Sequence, residues 1–150
     1  MRYNILFPVW LFYLLPTGMW LLILPANFLL DSLALYLAAR YLRLEAGKLW
    51  QQSIVRVWLI GFISDFLGAL LIVAAALLQD KLCPAWNTFY FPGATLLAIP
   101  GVILSAGCIY FFDRRFAFTK AGLDEKKTAV LCSFLAVFTA PYAMLIPLYG

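Results

Sequence analysis

The chain has 150 residues, of which 65% are hydrophobic and 12% charged, about half the charged share of an average soluble domain. It has no histidine, and its three cysteines, Cys83, Cys108 and Cys132, form no close pair, which excludes a CxxC redox motif, a zinc motif and a disulfide framework. The net charge of +4 does not point to nucleic acid, because all the basic residues but Arg2 and Lys81 fall in two clusters, Arg40, Arg43, Lys48 and Arg56, then Arg114, Arg115, Lys120, Lys126 and Lys127. Clusters on alternate loops are the charge bias that places loops of membrane proteins on the cytoplasmic side.

Residues 1–15 are apolar and aromatic, and Pro16-Thr17-Gly18 is a turn signal. The stretch is too short to span a bilayer as a helix, so it reads as an interfacial or re-entrant segment. A competing reading makes residues 5–24 a spanning helix and gives five spans instead of four. No small-x-small cleavage site follows, so the segment is expected to stay in the mature protein.

The first spanning helix is predicted over residues 17–43, long enough to cross a ~30 Å hydrocarbon layer. It carries Asp31 near its midpoint and Asn27 one turn earlier on the same face. An acid at that depth costs roughly 2.5–3.5 kcal/mol on insertion scales, so it needs a protein partner, water or a cation. Pro25 is expected to kink the helix and free a carbonyl. Residues 44–52 read as a short polar link.

The second helix is predicted over 53–79, again with an acid, Asp65, near its centre. Gly61, Asp65, Gly68 and Ile72 share one face. Phe28-x-x-Asp31 and Phe62-x-x-Asp65 match, the pattern an inverted repeat would leave. Residues 80–92 form an aromatic outer loop containing Cys83. The third helix, predicted over 94–112, has a continuous small stripe of Ala94, Ala98, Gly101, Ser105 and Cys108, with a kink expected at Pro100. The fourth is predicted over 124–147, with Asp124 and Glu125 at its positive N-terminal end and a kink at Pro141. The small stripes favour close helix packing over a wide aqueous pore.

Asp31 and Asp65 are the strongest functional signal. Acids inside a membrane are functional candidates by default, and two at one depth would share a proton or a cation. Asn27, Ser32, Ser64 and Ser105 are candidate auxiliary ligands. The competing reading is structural, with each acid bonding a carbonyl or serine to hold helix register. An aspartyl-dyad protease is disfavoured, because Phe62-Ile63-Ser64-Asp65-Phe66 lacks the flanking glycine of known intramembrane aspartyl proteases.

The run Phe111-Phe112-Asp113-Arg114-Arg115-Phe116-Ala117-Phe118-Thr119-Lys120 resembles the basic, aromatic ending of the GtrA-like family of small four-helix membrane proteins, and Asn27-x-x-x-Asp31 is similar to an element of that family's first helix. An aspartate stands before the arginines where the family usually has asparagine. The resemblance implies handling of polyprenyl-linked sugars.

The sequence therefore predicts an all-α polytopic membrane protein. It is one domain over 1–150, a four-transmembrane-helix bundle with an N-terminal interfacial or re-entrant segment, in the cell membrane with both termini outside. The leading function is transport of a small cation or protons, with Asp31, Asp65, Asn27, Ser64 and Ser105 as the ion-binding set. The second is a non-catalytic accessory subunit of a larger complex. A homo-oligomer or larger assembly is expected, and no cofactor or metal is implied.

Overall fold

The structure is a computed structural model that describes residue 14 and residues 18–82, 91–119 and 121–146. The N-terminal segment, apart from Leu14, and Cys83 lie outside the described residues. The chain is all-helical (85% helix) with no strand among the described residues, and four helices are long and apolar enough to cross a membrane.

The spans are Trp20–Tyr41, Ala46–Leu82, Gly93–Ala117 and Glu125–Leu145, and their α-helical parts are α1 (Trp20–Tyr41), α2 (Ala46–Leu82), α3 (Gly93–Phe112) and α4 (Glu125–Phe138). A π-helical turn, Asp113–Ala117, continues α3, and a short 3-10 turn, Tyr142–Leu145, follows α4. Each helix packs on the next and α4 closes onto α1, so the four form a ring-connected bundle.

The helix ends have local causes. After α1 the Leu44 N–H bonds the Ala39 carbonyl and the Arg43 N–H bonds the Arg40 carbonyl. This is a Schellman closure, and it holds Arg43 at a φ of 54°, the left-handed region that glycine occupies without strain. Left-handed geometry costs a side-chain-bearing residue about 1–2 kcal/mol, partly offset by the chain entropy that glycine loses. Arg43→Gly is accordingly expected to stabilise the fold by roughly 0.5–1 kcal/mol, read as a raised midpoint of thermal unfolding in detergent.

Much of the 44–52 stretch is helix rather than a polar link, because Leu49 buries against the bundle and draws the first turns of α2 into order. At the other end α4 stops at Phe138, earlier than its apolar pattern suggests. Pro141 lacks an N–H and disfavours helical geometry in the residue before it, so the chain leaves the helix at Thr139–Ala140.

The interior is layered. One apolar cluster gathers Leu35, Ala38, Val57, Ile109, Leu131 and Leu135, at the end of the bundle that carries Arg40 and Arg114. A smaller one gathers Ala69, Ile72, Ala98, Val102, Ala140 and Met144 toward the other end. Outward-facing positions are also apolar, with Leu21, Leu29, Val55, Ile103 and Phe138 among the exposed side chains. A bundle apolar on both its inner and outer surfaces is the composition expected where lipid replaces water around it.

The α2–α3 contact is backbone to backbone. A Cβ added at Gly68 would stand 2.6 Å from the Gly101 carbonyl oxygen, and one at Gly101 would stand 2.7 Å from the Gly68 carbonyl oxygen and collide with Ile72. The backbones touch there, as small residues at helix crossings allow.

Candidate functional site: a buried polar layer

Between the two apolar clusters each helix contributes a polar side chain. These are Asn27 and Asp31 from α1, Ser64 and Asp65 from α2, Ser105 from α3, and Thr139 from the end of α4. Asp31, Ser64, Asp65 and Ser105 are all buried. In α2, α3 and α4 the polar position falls between residues of the two clusters: Asp65 between Val57 and Ala69, Ser105 between Val102 and Ile109, Thr139 between Ala136 and Ala140; in α1 Asn27 falls between Ile23 and Phe28, which pack on one cluster each.

Asp65 is the most firmly held. The Ser105 hydroxyl donates to its Oδ1 at 2.7 Å, and the Asn27 amide approaches Oδ2 in a longer 3.4 Å contact. One carboxyl thus ties three helices together. Asp31 faces Gly61, where an added Cβ would come 3.2 Å from Asp31 Oδ2. The Thr139 hydroxyl, which donates to the Leu135 carbonyl at 2.9 Å, lies within hydrogen-bonding reach of the Asp31 carboxyl. The break of α4 before Pro141 thus brings Thr139 to this layer.

The two acids are related crosswise. Asp65 faces Asn27, which is one turn before Asp31, and Asp31 faces Gly61, which is one turn before Asp65. The two positions are therefore offset by about one helical turn, some ~6 Å along the axis. They interact electrostatically. Their hydroxyl neighbours differ, Ser105 for Asp65 and Thr139 for Asp31.

Among the described residues the ion pairs are Lys48–Glu45 and Arg114–Glu125, both at the surface. No described Lys or Arg pairs with the buried acids. A buried carboxylate without a base must find its countercharge in a proton or a bound cation. No three His, Cys, Asp or Glu among the described residues gather closely enough to hold a metal ion.

The site residues named from sequence separate into two groups. Asn27, Asp65 and Ser105 are brought together, and Asp31 lies beside them. The Ser64 and Ser32 hydroxyls meet no hydrogen-bond partner among the described residues. Sequence reasoning missed Thr139, whose only signal was a hydroxyl two residues before Pro141, and Asp113. The latter reads as one charge of a helix-end cluster, yet it is enclosed by the bundle.

The Ser105 bond can be tested alone. Ser105→Ala leaves the buried Asp65 Oδ1 without its donor and is expected to cost about 1–3 kcal/mol, measured as a lower unfolding midpoint with the helical content kept.

No family model, curated protein or solved structure matches the chain.

Proposed function

We propose that this chain is an integral membrane protein that passes or exchanges protons or a small cation, with Asp31 and Asp65 as the acids that bind it. Asn27, Ser64 and Ser105 supply further polar atoms around them. The observation that carries this reading is the polar layer: all four helices contribute to it, it lies between two apolar clusters, and its acids have no basic partner among the described residues. A register-holding role needs one polar contact between helices, not two buried acids one turn apart on adjoining helices. Helix α4 is broken at this same level, and broken helices at mid-depth are a recurring feature of transporter sites.

Reconstitution into proteoliposomes tests it. Flux of protons, sodium or potassium above that of protein-free vesicles supports the reading, and its absence for all three overturns it.

A second reading has its own observation. Phe111, Phe112, Arg114, Arg115 and Phe116 line an open cleft of about 600 Å³ at the basic end, a combination that suits the phosphate and first isoprene units of a lipid-linked sugar. Stabilisation by a polyprenyl phosphate, with no ion flux, favours this reading over transport.

A further inference from the structure

Asp113 is 0% exposed, and neither carboxyl oxygen meets a hydrogen-bond partner among the described residues. It opens the π-helical turn at the end of α3, a local widening frequent at functional sites. Within that turn Asp113 and Ala117 face inward, while Arg114, Arg115 and Phe116 face out. The neighbouring Arg114 does not neutralise it. Its guanidinium is directed to the Tyr110 hydroxyl at 3.0 Å and to Glu125 at 2.6 Å.

An acid at the end of a helix normally swings into water. This one is held inside, where Asp31 of α1 and Cys132 of α4 interact with it electrostatically. Asn27 lies against Asp65 and Asp31 is one turn beyond Asn27 toward the basic end, so along the bundle axis Asp31 stands between the other two. Asp113 lies eight residues beyond Ser105, about 12 Å further toward the basic end, whereas Asp65 is at the level of Ser105. The three carboxyls are strung along the bundle rather than gathered round one point.

We propose that Asp113 is the access acid of a proton relay, connecting water at the Arg40–Arg114 end of the bundle to Asp31 and then to Asp65. This rests on the reading of Asp31 and Asp65 as ion-binding acids. In each step one O–H bond breaks and one forms. A proton from water at the rim binds an Asp113 oxygen, passes to Asp31 directly or through a water, and passes in the same way to Asp65. Asp65 gives it up to water on the far side, so no other bond changes.

The test has two parts. In proteoliposomes carrying a potassium-diffusion potential and an internal pH dye, Asp113→Asn is expected to lower proton flux roughly tenfold or more, while Asp113→Glu retains most of it. In detergent-solubilised wild-type protein, a water-soluble carbodiimide with an amine nucleophile is expected to modify Asp113 before Asp31 or Asp65, read by peptide mass spectrometry. The second part does not depend on a variant folding. Wild-type flux in folded Asp113→Asn, or modification of Asp65 ahead of Asp113, overturns the relay and leaves the proposed transport function standing. Sodium or potassium flux without proton flux also overturns the relay alone. No flux of any ion in the wild type overturns the transport reading and the relay with it.

Discussion

Asp65→Asn is expected to abolish ion flux in reconstituted vesicles while the protein stays folded, and Asp31→Asn to do the same. Asparagine has the shape of aspartate, and its carbonyl oxygen can still accept the 2.7 Å bond from Ser105. It cannot release a proton or carry the charge that attracts a cation. Removing one partner of a buried charge interaction costs about 2–5 kcal/mol. At ~1.4 kcal/mol per decade, that is a fall of roughly thirtyfold or more. The substitution therefore separates the two roles an intramembrane acid can have. If the carboxyls only hold helix register, the amides hold it as well, and flux is untouched. If they bind the transported ion, flux falls while the unfolding midpoint moves little. Wild-type flux in either folded variant would remove that residue from the site. Measuring protons, sodium and potassium separately identifies the ion.

The second large effect concerns packing. Gly68→Leu is expected to prevent accumulation of the folded bundle, and Gly68→Ala to cost about 1–3 kcal/mol. A Cβ at this position would lie 2.6 Å from the Gly101 carbonyl oxygen, a backbone atom that moves only if α3 moves. It would also lie 3.2 Å from the Ser105 Cβ, so displacement of α3 carries Ser105 away from Asp65. Stability and site are thus coupled at one contact. Gly107→Ala is the control, since a Cβ there meets nothing within 4 Å. Comparable thermal midpoints for Gly68→Ala and Gly107→Ala would show that the α2–α3 approach is looser than the geometry describes.

Local pattern and distant contact made different contributions to this protein. The sequence alone determined that the chain is helical, that four helices are apolar enough to cross a membrane, and that Asp31 and Asp65 are set within two of them. These follow from hydrophobic runs and from the 3.6-residue period, which depend only on near neighbours in the chain. The shared face of Gly61, Asp65, Gly68 and Ile72 was legible for the same reason, and all four are buried. Only the tertiary structure decided how each helix is rotated about its axis and which residues oppose one another. That rotation set Asn27 and Ser105 against Asp65, put Asp31 against Gly61, and left the Ser64 hydroxyl without a partner among the described residues. It also enclosed Asp113, which in the sequence is one of several charges at a helix end, normally a solvated position. The π-helical turn and the packing of α4 against it hold it inside, and neither is written in the residues next to it.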